Sequence, residues 1–249
     1  MIESLLLSAT HVFTYADQQR LSNASGFFFE RDGRLFVVTS RHVVIDEPGH
    51  VPDRIEIELH IDPDDMARSV AFSIPLYRDG RGIWRQGVDI GGQIDVAVVE
   101  IERPALPPTT VYRAFTPAHL YAPQDEIAVG ASLLIVGFPL GFHDTLHHMP
   151  VVRQAVVASS FGLRFDGHGF FLTDARTHRG TSGAPVVMRI SHGERMQGDL
   201  PWMLLGVHSA VFDVGTRDVS IDEALGLNCA WYADVLMALT APSAATMAA

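Results

Sequence analysis

Residues His178–Val187 read HRGTSGAPVV, a polar, glycine-rich bend that empties directly into an apolar strand. Two physical readings fit a serine, Ser182, on so cramped a turn. Glycine opens backbone conformations closed to other residues, so the bend could be no more than a tight entry into a strand. A serine on a bend with backbone N–H groups converging beside it is also how a nucleophile and its oxyanion donors are built together. The stretch alone supports both readings, and the rest of the chain has to choose between them.

Bulk properties narrow the field. The 249 residues are 47% hydrophobic and 19% charged, as expected for one large all-β or α/β unit or for two small barrels sharing a core. The formal net charge of −11 argues against nucleic acid as a partner, because phosphate binding needs concentrated positive charge. All 18 basic residues are arginine, which has no functional explanation here. Cys229 is the sole cysteine, so no disulfide staples the fold and a reducing compartment is expected. The opening MIESLLLS carries an acid where a secretory leader needs positive charge, and its apolar run is short. No segment approaches the roughly 20 apolar residues of a membrane span. A soluble, cytoplasmic protein without a membrane partner is the expectation.

Short strands separated by turn chemistry dominate. Gly26–Glu30 and Leu35–Thr39 are aromatic and β-branched, and the Arg31-Asp32-Gly33-Arg34 link between them is a hairpin signal. Further strands are predicted at Arg54–Leu59, Ser69–Pro75, Ile94–Ile101, Ser132–Phe138, Pro150–Ala158, Gly169–Thr173, Pro185–Ile190 and Trp202–Ser209. Only Trp231–Leu239 reads as a helix. Many short strands imply a sandwich or barrels. The proline-rich stretch from Glu102 to Asp125 reads as a connector. The expected division is therefore an N-terminal unit 1–102, a connector 103–125, a C-terminal unit 126–240 and a disordered tail 241–249.

Ser182 has potential partners in both halves. LFVVTSRHVV puts His42 just beyond a buried strand, and QIDVAVVEI puts Asp95 at the mouth of another. A carboxylate in so apolar a neighbourhood is costly unless a partner takes its hydrogen bonds. Asp89 and Asp125 are rivals for its role, and the unbroken apolar run after Asp95 favours Asp95. Serine, imidazole and carboxylate are the groups that activated acyl transfer requires.

On these segments the chain resembles the chymotrypsin/trypsin-fold serine proteases. VVTSRHVV, DVAVVEI, GTSGAP and LLGVHSA look like that family's landmark segments, from about Ser25 to Leu239. IVGFPLGF and FLTDARTHRGTSGAPVV are similar to the disulfide-free bacterial branch that includes HtrA-type proteases. The resemblance implies an all-β fold of two six-stranded antiparallel β-barrels with a C-terminal helix, and a serine endopeptidase acting on polypeptide substrates. It implies Ser182 as nucleophile, His42 as general base and Asp95 as its orienter, with the N–H groups of Gly180 and Ser182 as the oxyanion hole. Ser209, Ala210 and Val211 would form the strand along which substrate lies.

Two departures follow from the same likeness. Thr181 stands where digestive members carry an aspartate that pairs with a newly cut N-terminus, so no proteolytic activation step is expected, while a conformational gate on the Gly180–Thr181 peptide stays open. Arg176 stands near the position of the acid that selects basic substrates. With Leu227 and Cys229 narrowing the pocket, cleavage after small or medium aliphatic residues is expected. No appended peptide-binding module is visible, so regulation would come from a separate protein partner. No cofactor or metal is expected. His143, His147 and His148 match no zinc spacing, Asp62–Asp65 reads as a surface turn and Gly87–Gly92 as a loop. His208 reads as a packed or hydrogen-bonded histidine. A catalytically silent or gated binding module of the same fold and an esterase with the same three groups are the alternatives.

Overall fold

The computed structural model describes residues 2–45, 51–122, 125–190, 199–211 and 225–242. The first half is built from β1 (Ala9–Ala16), β2 (Gln19–Arg31), β3 (Arg34–Thr39), β4 (Arg54–His60), β5 (Ser69–Pro75), the short pair β6 (Tyr77–Arg78) and β7 (Arg81–Gly82), β8 (Arg85–Asp89) and β9 (Gly92–Ile101). Seven of these form one antiparallel sheet in the order β5-β4-β1-β2-β3-β9-β8. The second half comprises β10 (Ser132–Gly137), β11 (Val151–Val157), β12 (Phe170–Asp174), β13 (Pro185–Arg189), β14 (Trp202–Val211) and β15 (Leu227–Tyr232). These close into a six-stranded barrel in the order β10-β11-β12-β15-β14-β13. The all-β, trypsin-like architecture is present. The N-terminal sheet has seven strands where six were expected, and its outer strands β5 and β8 do not pair with each other among the described residues.

The residue pattern explains why the two halves press together. Side chains alternate faces along a strand, yet β2, β3 and β9 are apolar on both faces. Phe27 and Phe29 of β2, Phe36 and Val38 of β3, and Ile94, Val96 and Val98 of β9 join Leu172, Val207, Trp231 and Leu236 of the second half in one core. The intervening Phe28, Leu35, Val37, Ala97 and Val99 fill a separate core within the first half. The barrel has its own filling of Ile135, Val157, Phe171, Val186 and Leu205. A sheet buried on both sides reads as an unbroken hydrophobic run, which is what FFF and VAVV are. Each fully buried Phe, Leu or Val contributes about 1.5–3 kcal/mol, so the shared core is a substantial part of what holds the halves together.

Turn chemistry behaves as expected at Asp32 and Gly33, whose φ angles of 51° and 74° let β2 and β3 close as a hairpin. Two readings need correction, and one strand was not anticipated. β1, with the mixed sequence ATHVFTYA, had no clean alternation to reveal it. Gly87–Gly92, expected as a loop, contains the end of β8 and the turn into β9. The helix expected over Trp231–Leu239 is confined to Val235–Leu239. Trp231 and Tyr232 belong to β15, because Trp231 pairs with Phe170 of β12. Short apolar runs carry no period that separates strand from helix, and only the barrel's need for a sixth strand decides.

No described helix is long and apolar enough to cross a membrane. The segment after β9 runs back over both halves through single bridges, Phe29 with Phe115 and Leu120 with Leu204.

Candidate active site

β3 ends at Thr39, and Arg41–Val44 forms a single helical turn. Val43 and Val44 sink into the first core, which turns His42 outward with its side chain 41% exposed. Asp95 lies near the start of β9, on the face opposite Ile94 and Val96. Its Oδ1 accepts the His42 backbone N–H at 2.9 Å. Its Oδ2 lies 2.7 Å from His42 Nδ1. The Ser209 hydroxyl, at the end of β14, donates to the same Oδ2.

Those donors decide the carboxylate's charge. Burial disfavours the charged form, but the hydrogen bonds from His42 and Ser209 outweigh it and hold Asp95 below the usual carboxylate range. An ionised carboxylate can only accept, so Nδ1 carries a proton, and in the neutral imidazole Nε2 is the acceptor. Asp89, the nearest rival, instead pairs with Arg164 and accepts from Gly91 N–H at 2.8 Å. Asp125 takes the Ala122 N–H.

Across the groove, Ser182 sits on the bend before β13. His42, Gly180 and Ser182 line one cleft of about 310 Å³, with Asn23 and Arg179 at its wall. A separate hollow of about 910 Å³ between Tyr121, Phe161 and Trp231 contains neither His42 nor Ser182. The Ser182 hydroxyl donates to the Ser209 carbonyl at 2.7 Å. Around it, the N–H groups of Thr181, Gly183 and Ala184 are bonded to His178, His208 and Thr181 carbonyls. Gly180 has φ +90°, and a Cβ there would lie 2.6 Å from the Phe138 carbonyl oxygen. Only glycine fits.

The peptide before it is held as well. Leu140 N–H donates to the Arg179 carbonyl at 2.6 Å. A planar trans peptide then turns the Gly180 N–H to the opposite side.

Residues 24–194 match the trypsin-like peptidase domain. The chain belongs to this family. No curated protein matches the sequence. Among solved structures, the trypsin-like peptidase chain is similar to the serine endoprotease from Yersinia pestis, with 16% identity and a TM-score of 0.53 over 94% of this chain and 61% of that one. It thus spans less than two thirds of the Yersinia protein's length. It is also similar to the Rv3671c protease from M. tuberculosis in its active form, with 16% identity over 98% of this chain and 82% of that one, and a TM-score of 0.49.

The remaining predicted residues fall in several places. Arg176 is exposed just beyond β12, and its carbonyl accepts from Arg153 Nε. Leu227 and Cys229 are half-buried on β15 beside the shared core. Burial, and then the Asp95 charge, push the Cys229 thiol up to about 12, so it stays protonated and unreactive. The backbone of Ala210 and Val211 continues β14, and their side chains lie outside the described residues, as do tail residues 243–249.

Asp62 accepts from the Asp64 and Asp65 N–H groups in the expected turn. His143 packs edge-on to His11, and His147 pairs with Asp144.

Sequence reasoning missed the side-chain role of Ser209, expected only to lie along substrate. It recognised His208 as packed, but not its environment. His208 is 2% exposed, and its Nδ1 has no hydrogen-bond partner among the described residues. Burial, with repulsion from His42, holds it at about 4.

Proposed function

We propose that the chain is a serine endopeptidase that hydrolyses polypeptides through an acyl-enzyme on Ser182. The carrying observation is the 2.7 Å contact of His42 Nδ1 with the half-buried Asp95, His42 lying on the cleft that Ser182 also lines. In this reading His42 Nε2 takes the Ser182 proton as Oγ attacks the substrate carbonyl carbon. The imidazolium, stabilised by Asp95, then gives that proton to the leaving amine, and water repeats the sequence on the ester. Gly180 and Ser182 N–H receive the negative charge as it develops on the carbonyl oxygen. A substrate N–H that takes the Ser209 carbonyl displaces the Ser182 hydroxyl from it, returning the hydroxyl to the imidazole.

The substrate lies along Ser209–Val211. The Arg176 cation and the half-buried Leu227 and Cys229 support cleavage after small or medium aliphatic residues. The work is divided between an N-terminal unit 1–102 carrying His42 and Asp95 and a C-terminal unit 126–240 carrying Ser182, joined by 103–125.

A fluorophosphonate probe tests the chemistry. Wild type is expected to be labelled at Ser182 and Ser182→Ala to remain unlabelled. Native protein that resists the probe in both forms would rule out the enzyme and leave a binding module of the same fold.

A further inference from the structure

We infer that Ser25 is a positioning residue for the oxyanion hole, holding both of its N–H donors from the opposite half of the molecule. The inference rests on the peptidase reading above. Ser25 lies on β2, between Ala24 and Gly26, and is fully buried. Its backbone N–H donates to the Ser182 carbonyl at 2.9 Å. Its hydroxyl donates to the Gly180 carbonyl at 2.8 Å and accepts the Phe138 N–H at 3.0 Å. Its own carbonyl accepts the Thr39 hydroxyl at 2.8 Å. One residue of the first half thus grips the two residues of the second whose amides would meet the oxyanion.

The geometry explains why the hydroxyl is needed. Gly180 has φ +90°, and glycine has little intrinsic barrier to turning its flanking peptide planes. The direction of its N–H therefore depends on what holds those planes. The plane before Gly180 is held by Leu140 N–H on the Arg179 carbonyl. The plane after it is held by Ser25 Oγ on the Gly180 carbonyl. These two anchors are not independent. Leu140, itself at φ +55°, sits in the tight turn that follows Phe138, and Phe138 N–H is bonded to the same Ser25 oxygen. Removing that oxygen leaves the plane after Gly180 with only the Thr181 N–H on the His178 carbonyl at 3.1 Å and loosens the turn that holds the other.

The loop's own polar side chain offers no substitute, because Thr181 Oγ1 is buried without a hydrogen-bond partner among the described residues. Ser25 does not line the catalytic cleft, so it acts through Gly180 and Ser182 and not on substrate.

The test compares wild type, Ser25→Ala and Ser25→Cys. The measurements are kcat and KM on a peptide amide, inhibition by a short peptide aldehyde ending in valine, binding of the matching peptide acid, and thermal melting. The aldehyde forms a hemiacetal oxyanion with the nucleophile, whereas the peptide acid binds without one. Loss of one oxyanion donor costs about 10²–10³ in turnover. Folded Ser25→Ala is expected to lose about 10²-fold in kcat and a parallel factor in aldehyde affinity, with KM and peptide-acid binding within about threefold of wild type. Ser25→Cys keeps a weaker donor and acceptor on a somewhat larger side chain and is expected to fall between. It carries the test if the alanine variant does not fold.

A folded variant whose kcat and aldehyde affinity stay within about threefold of wild type would overturn the inference, as would equal losses for aldehyde and peptide acid. Wild type inert to the fluorophosphonate overturns the peptidase reading and this inference with it. Reactive wild type with an unimpaired Ser25→Ala overturns the inference alone.

Discussion

His208 should make the fold sensitive to mild acid, and replacing it with leucine should remove that sensitivity. The imidazole is 2% exposed and is held at about 4 by burial and by repulsion from His42. In the unfolded chain it titrates at about 6.5. Between those values the unfolded chain binds a proton that the native one does not, so stability falls as pH falls. Linkage puts the loss at about 2 kcal/mol between about pH 7.5 and about pH 5, with a limiting slope of about 1.4 kcal/mol per pH unit.

His11, buried and held at about 3, adds about 2 kcal/mol over the same interval. Urea unfolding followed by tryptophan fluorescence should therefore show a decline of about 4 kcal/mol from these two groups in wild type and about 2 kcal/mol in His208→Leu. At about pH 7.5 the variant should lie within about 1 kcal/mol of wild type, because Nδ1 surrenders no hydrogen bond and the volumes are close. If the two proteins differ by less than about 0.5 kcal/mol in their acid decline, His208 is not the buried neutral base described here.

Two further outcomes concern the chemistry. Asp95→Asn should lower kcat by about 10⁴, because the amide cannot fix the His42 tautomer or stabilise its cation. A loss under about tenfold would move that role to Asp89, despite its pairing with Arg164. A peptide library should show cleavage after alanine, valine and residues of similar size, and a profile dominated by lysine or arginine at that subsite would refute the aliphatic assignment.

Much of this molecule was legible along the chain because the relevant signals are local. Asp32-Gly33 announces its hairpin through the positive φ angles it tolerates. The apolar runs around Phe27–Phe29 and Val96–Val99 announce strands buried on two faces, and both faces are buried. His42, Asp95 and Ser182 each stand in a recognisable stretch a few residues long. The boundary between β15 and the final helix was not legible in this way, nor was β1. Their assignments rest on partners far away in sequence, such as Trp231 on Phe170 and Ala9 on Phe27.

By itself, then, the sequence determined the all-β character, the hairpin and the family, since backbone preference and strand alternation act between near neighbours. Tertiary structure brought Asp95, the carboxylate the sequence favoured, onto His42 and sent its rival Asp89 to Arg164. It also put the Ser209 hydroxyl on Asp95 across 114 residues and the Ser25 hydroxyl on Gly180 across 155. The physical reason is that a hydroxyl declares its partner only when folding strips its water. Which acceptor is then within reach depends on how two sheets dock, and no local pattern encodes that.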